Sequence, residues 1–321
     1  MITIKKYIKY IGNIVTVLSI AFVIYALFKL NIDFSRLANV KAVIICIAGS
    51  LGVTLTVYIL AFAWKNTLDY LAGTKTGYRE AAHVYGKANI GKYLPGNVMH
   101  YVERNLFATK IGLNQLELAI SSVLEVIGIV IVALLFSLIC AYKELVMALR
   151  EYMQPVYIII AVVAVVLVIA VAIVICLKSK RVREMLGRLA NVKFLIVFIE
   201  NMLIYAVVFA ILGIVLVLIC GYILEINLTV SMCAMIITYY MLAWVVGFVI
   251  PGAPGGIGVR EAVLVLLMGS SSVMSGSQIL MAALVHRMLS IIGDIVGYFI
   301  SLLLAQKESN TPQQADGASN L

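Results

Sequence analysis

Runs of roughly twenty apolar residues recur along the chain, separated by short polar connections rich in Lys and Arg. Six are long enough to cross a bilayer as helices: Tyr10–Phe28, Ala42–Trp64, Leu118–Cys140, Val156–Leu177, Leu195–Ile219 and Ile279–Leu304. Two further stretches break this pattern. Residues 78–111 are amphipathic and carry Arg79, Lys87, Lys92, Glu103 and Arg104. Residues 228–268 are too long for one crossing and are interrupted at Pro251-Gly-Ala-Pro-Gly-Gly256.

The two irregular stretches share their punctuation. The first contains Gly91, Pro95 and Gly96, followed by Arg104. The second contains Gly247, Pro251 and Gly252, followed by Arg260, and extends its break through Pro254, Gly255 and Gly256. A helix cannot run through Pro-Gly without losing backbone hydrogen bonds, and hydrocarbon supplies no water to replace them. Interrupted segments at matching places in two halves of a membrane protein point to a binding site.

Composition agrees with a polytopic membrane protein. Of 321 residues, 64% are hydrophobic and 12% charged, and the mean hydropathy is +1.10, which excludes a sizeable soluble domain. No cleaved signal peptide is expected, because no small-residue cleavage site follows the first run. Residues 306–321 read as a disordered cytoplasmic tail, and residues 1–305 as one membrane domain. The five cysteines lie in or beside apolar runs without a CxxC pair and read as small packing residues.

Charge orients the chain. Lys5, Lys6 and Lys9 precede the first run, seven basic residues fall in 65–116, and six lie in Lys178–Lys193. The 141–154 and 221–228 connections carry no basic surplus, although Lys29–Lys41 does. The positive-inside rule then places both termini in the cytoplasm, provided that each broken stretch enters and leaves on one side. The predicted fold is all-α, with six spans and two re-entrant hairpins. The halves, residues 1–142 with a hairpin at 78–111 and 154–305 with a hairpin at 228–268, form an inverted repeat whose tips meet near the midplane. The competing arrangement is eight ordinary helices, two of them kinked by proline.

Charged groups inside membrane spans are candidate functional groups, since each costs on the order of 3 kcal/mol at a helix centre. They are Glu125, Glu200, His286, Arg287 and Asp294, joined by Glu103 with Arg104 and by Arg260 with Glu261 on the broken stretches. Arg287, Ser290 and Asp294 make one helical stripe, Ser121, Ser122 and Glu125 a smaller one, and Gly293 and Gly297 admit a neighbouring backbone. Arg grips phosphate through parallel donors, and a helix starting after Gly256 offers N–H groups to an anion. The inner arginines therefore suggest a cavity for a phosphate-bearing lipid. The alternative is structural: Glu125 or Asp294 pairs with an Arg to hold helices in register. His100 could shuttle protons or pack the first hairpin.

No catalytic set, metal site or cofactor motif is assigned. The three His and four Asp form no ligand pattern, and Pro251–Gly258 lacks the Lys-Ser/Thr of a phosphate loop. The surplus of nine positive charges is read as facing anionic headgroups, not nucleic acid. Nothing sets the oligomeric state, and a homo-oligomer stays open.

The stretches Gly91-Lys-Tyr-Leu-Pro-Gly-Asn97 and Pro251-Gly-Ala-Pro-Gly-Gly-Ile-Gly-Val-Arg-Glu261, with His286-Arg287 in the last span, resemble the lysylphosphatidylglycerol synthase transmembrane family. The resemblance covers nearly the whole chain and implies translocation of lipid in a bacterial or archaeal plasma membrane. It implies phospholipids, aminoacylated or otherwise anionic, or polyprenyl-linked glycolipids as substrates. A separate lipid-modifying synthase or glycosyltransferase is the implied protein partner. The 321 residues hold no soluble aminoacyl-transferase domain, so the resemblance implies transport, with a supporting or enzymatic role in lipid modification as the alternative.

Overall fold

The computed structural model describes residues 39–93, 99–109, 114–140, 142, 184, 187–249, 254–269 and 274–309. The spans expected at Tyr10–Phe28 and Val156–Leu177, the break residues Pro95, Gly96, Pro251 and Gly252, and most of the tail lie outside the described residues. Among the described residues the regular elements are all helical: α1 (Val40–Ala72), α2 (Tyr78–Asn89), α3 (Met99–Thr109), α4 (Gln115–Cys140), α5 (Val192–Leu218), α6 (Val230–Val249), α7 (Val259–Gly269) and α8 (Gly276–Ser309). Five of these are long and apolar enough to cross a membrane. The described residues are all-α, and their five apolar helices are those of a multi-pass membrane protein.

Local chemistry sets the helix ends. Asn39 caps α1 by accepting from the Lys41 N–H, and Asn191 caps α5 by accepting from the Lys193 N–H. Gly73, at φ 67°, ends α1 and donates to the Asp69 carbonyl, a conformation that costs a residue without Cβ little. Outer faces are apolar: α5 exposes Leu195, Ile199 and Leu203, while its buried Asn201 donates to Thr67 Oγ1 at 2.8 Å. Hydrocarbon solvates the first group, whereas the amide needs a partner inside. Glu200 points outward with the exposed apolar residues.

The predicted spans Ala42–Trp64, Leu118–Cys140, Leu195–Ile219 and Ile279–Leu304 fall in α1, α4, α5 and α8, with a π-helical turn at Ile219–Ile223 prolonging α5. The fifth helix of spanning length is α6, within the stretch read as a hairpin. The two broken stretches therefore differ. The first pairs short helices of 12 and 11 residues, while the second pairs a 20-residue α6 with an 11-residue α7. At 1.5 Å per residue, α6 is about 30 Å long and α7 about 16 Å.

Helix α8 is the central post, and α1 runs parallel to it. Thr54 Oγ1 donates to the Gly293 carbonyl at 2.8 Å, and Tyr58 Oη to the Gly297 carbonyl at 2.6 Å, one turn further along both helices. A Cβ on Gly293 would lie 2.6 Å from the Ser50 carbonyl oxygen and 2.8 Å from Val53 Cβ, so the backbones meet where glycine was expected to admit one. Helix α5 lies antiparallel to α1, with Asn201 beside Thr67 and Val215 beside Gly49.

Both short helices α2 and α7 run antiparallel to α8, on opposite halves of it. Arg79 donates to the Leu304 carbonyl, His83 Nδ1 contacts the Ser301 carbonyl, and Asn89 reaches Asp294. On the other half Glu261 faces Arg287, and Leu264 and Ala283 share one small cavity. The inner ends of the two broken stretches touch: Gly255 lies against the Tyr93 ring and the Lys92 carbonyl. This meeting point sits beside residues 287–294, close to the middle of the apolar Gly276–Leu304 segment.

Candidate functional site

A cavity of about 110 Å³ opens where the two breaks meet. Its wall takes Lys92 and Tyr93 from the first break, Gly255 and Arg260 from the second, and Arg287, Ser290 and Asp294 from α8. The predicted stripe at 287, 290 and 294 thus faces one space. That volume holds several water-sized groups, enough for a phosphate with a small substituent.

Behind the wall residues Glu125, Tyr85 and Tyr101 lies a closed cluster. Arg104, 2% exposed, donates through Nη1 to Glu125 Oε2 at 2.8 Å and through Nη2 to Ser122 Oγ at 2.8 Å. Its guanidinium carbon also lies 4.9, 4.8 and 5.0 Å from the ring centres of Trp64, Tyr85 and Tyr101. Tyr85 Oη donates to Glu125 Oε1 at 2.8 Å, and Trp64 Nε1 to Ser121 Oγ at 2.9 Å. A cation and an anion that would each be costly to bury are thereby paired, with Arg104 Nε alone of that guanidinium's nitrogens lacking a partner among the described residues. Helix α4 supplies Glu125 and both serines, so this cluster pins α3 to α4, the structural role that stood as the alternative.

Asp294 closes a second cluster. Lys92 Nζ lies 2.7 Å from its Oδ2, Asn89 Nδ2 donates to Oδ1 at 2.7 Å, and Tyr93 Oη donates to Oδ2. All three donors come from the first stretch, so a buried carboxylate of α8 holds the end of that stretch in place. Asn89, Lys92 and Tyr93 were not singled out as site residues. The visible signal was an acidic residue deep in a span, which demands donors from a neighbour.

Glu261, 3% exposed, accepts the Gly258 N–H at 2.7 Å, so the third residue of α7 caps that helix's own N-terminus. The anion expected at the start of this helix is in part its own carboxylate. Gly255, Gly256 and Gly258 have φ of 57°, 74° and 81°, which explains glycine at each position. A Cβ on Gly247 or Gly256 would press on the Arg260 side chain, so both glycines clear its path.

Arg260 and Arg287 line the cavity itself. Arg260 lies over the Trp244 ring at 5.1 Å, and its Nε lacks a hydrogen-bond partner among the described residues. Arg287 Nη1 donates to the Gly255 carbonyl at 2.8 Å, its Nε is 3.7 Å from Glu261 Oε1, and Nε and Nη2 have no hydrogen-bond partner there. Two guanidinium groups thus share one cavity with three buried donors unmet, an arrangement an oxyanion satisfies. His286 approaches the Leu212 carbonyl through Nε2 at 3.0 Å and packs on Tyr240 at 4.7 Å, outside the main cavity wall. Glu103 lies behind Gly91, where a Cβ would strike its carboxylate. His100 lines the cavity, and its Nδ1 has no partner among the described residues. No group of metal-ligating side chains occurs among the described residues.

No protein-family model matches the chain, and no curated protein matches it.

Proposed function

We propose that this chain is a membrane lipid transporter of the flippase or scramblase type, through which a phosphate-bearing headgroup passes at the meeting point of the two breaks. One observation carries the reading: Arg260 and Arg287 line one cavity beside the middle of a spanning helix, and both have buried donors without a partner among the described residues. A lipid phosphate supplies the missing acceptors, and its acyl chains remain in hydrocarbon. Of the arginines named from sequence, Arg260 with Arg287 takes the ligand role, and Arg104 holds α3 to α4.

In this reading the α2–α3 and α6–α7 stretches are re-entrant hairpins from opposite membrane faces, and the halves form an inverted repeat that rocks about α8. The docking of α2 and α7 on opposite halves of α8 supports it. The resemblance of the break motifs to the lysylphosphatidylglycerol synthase transmembrane family, which no family model bears out, suggests a bacterial or archaeal plasma membrane as the setting and cytoplasmic termini. The substrate is a phosphate-bearing lipid, for which the resemblance offers an anionic phospholipid, an aminoacylated phospholipid and a polyprenyl-linked lipid as alternatives.

The test is reconstitution into phosphatidylcholine vesicles with trace fluorescent phosphatidylglycerol and an impermeant reductant outside. Wild-type protein is expected to expose the inner-leaflet label, and Arg260→Ala to slow that exposure by about tenfold or more, one charge-assisted contact contributing roughly 1.5–3 kcal/mol. Rates equal to empty vesicles for wild type, or equal rates for wild type and Arg260→Ala, would sink the proposal.

A further inference from the structure

Among the described residues, the carboxylates of Glu125, Asp294 and Glu261 on or beside the cavity each have a protein donor. Glu125 is held by Arg104 and Tyr85, Asp294 by Lys92, Asn89 and Tyr93, and Glu261 by the Gly258 N–H with Arg287 beyond it. Several aromatic rings at the site already carry a neighbour on one face. Arg104 covers Tyr85 and Tyr101, Arg260 covers Trp244, Lys92 stands 5.5 Å from the Tyr93 ring, and His286 packs on Tyr240. Arg260 and Arg287 line this space, and both carry buried N–H groups without a hydrogen-bond partner among the described residues.

Resting on the reading of this cavity as a lipid-headgroup site, we infer that it selects a net-anionic phosphodiester whose substituent is uncharged, and rejects headgroups bearing an ammonium. An ammonium entering beside the phosphate meets Arg260 and Arg287, and like charge confined in low dielectric disfavours it. The phosphate meets Arg260 and Arg287. Aminoacylated phosphatidylglycerol and phosphatidylcholine carry the same phosphate and fail on the second group. Selection therefore resides in repulsion by Arg260 and Arg287, with attraction of the phosphate common to all three lipids.

The experiment uses full-length protein in uncharged maltoside micelles, titrated with dioctanoyl phosphatidylglycerol, its lysylated form and dioctanoyl phosphatidylcholine. The chain has two tryptophans, and Trp244 lies on the cavity wall under Arg260, so its fluorescence reports occupancy. Trp244→Phe identifies that signal. Phosphatidylglycerol is expected to bind saturably, and the two ammonium-bearing lipids at least about tenfold more weakly. Lys92→Gln, which frees Asp294 to face the cavity, is expected to narrow the gap between plain and lysylated lipid.

Equal or tighter binding of the lysylated lipid to wild type overturns the inference, as does a lack of saturable binding by any of the three. The wild-type ratio decides the matter even where Lys92→Gln does not fold. Glycerophosphoglycerol, the same headgroup without chains, is expected to bind at least about tenfold more weakly than the lipid. Equal affinity would mark a site for soluble anions and overturn the lipid assignment. Selective binding without transport would leave this inference standing and sink the transporter reading. Transport with equal binding of plain and lysylated lipid would do the reverse.

Discussion

Replacing Glu125 with Met separates the structural role of the Arg104–Glu125 pair from a role in ligand binding. The side chain keeps its volume and loses its charge. Arg104 stays buried at 2% exposure, keeps Ser122 Oγ and three aromatic rings, and loses its only counter-charge within reach among the described residues. Breaking a buried pair from one side costs about 3–5 kcal/mol. The remaining contacts place this case near about 3 kcal/mol, and the Tyr85 hydroxyl, left without its acceptor, adds roughly 1 kcal/mol. A loss of about 4 kcal/mol lowers the folded-to-unfolded ratio by roughly a thousandfold. Titration with dodecyl sulfate in mixed micelles, followed by circular dichroism and tryptophan fluorescence, measures it. The double variant Arg104→Met/Glu125→Met removes both charges and is expected to regain most of the loss, because no uncompensated ion remains. A single variant as stable as wild type, or a double variant no better than the single, would refute the reasoning. A stable Glu125→Met that no longer binds lipid would move Glu125 from scaffold to site.

Two other perturbations test the post and its anchor. Gly293→Val places a branched carbon where even a Cβ lies 2.6 Å from the Ser50 carbonyl oxygen, and is expected to cost about 2 kcal/mol or more in the same titration. Gly297→Ala is expected to be nearly silent, since the nearest atoms to its Cβ are 3.9 Å away; equal effects at both positions would contradict the described contact. Asp294→Asn removes the counter-charge of Lys92, whose side chain is 28% exposed, so the cost is discounted to about 1–2 kcal/mol. Its clearer signature is faster hydrogen exchange in peptides covering residues 89–93 without change in α5, and unchanged exchange there would show that Asp294 does not hold the first break.

Much of the scaffold was legible because hydrocarbon forbids alternatives. A long apolar run has to be helical, and Pro-Gly within one has to end a helix or find compensation. Hence α1, α4, α5 and α8 lie where hydropathy placed them. The length of α6 was less legible, because its apolar run continues into the break without polar punctuation until Pro251, and composition does not reveal which arm of a pair is longer. Among the site residues, Arg287 and Asp294 were legible as buried charges, and Ser290 as their companion on one face. Lys92, Asn89 and Tyr93 were not, since an amphipathic segment offers many polar residues, and only packing selects those that reach α8.

Sequence alone determined the class of the protein, the position of its breaks and the short set of charges admitted to its interior, because each follows from the cost of polar groups in hydrocarbon. It presented Arg104 and Arg260 as equivalent, nine residues after Pro95 and Pro251 respectively. Tertiary structure made them different. Helix α4 brings the carboxylate of Glu125 to Arg104 and closes it, whereas α8 brings a second cation, Arg287, into the cavity that Arg260 lines. Which helix faces which is a non-local choice that no spacing along the chain encodes, and it leaves one arginine as scaffold and the other as a site for an anion.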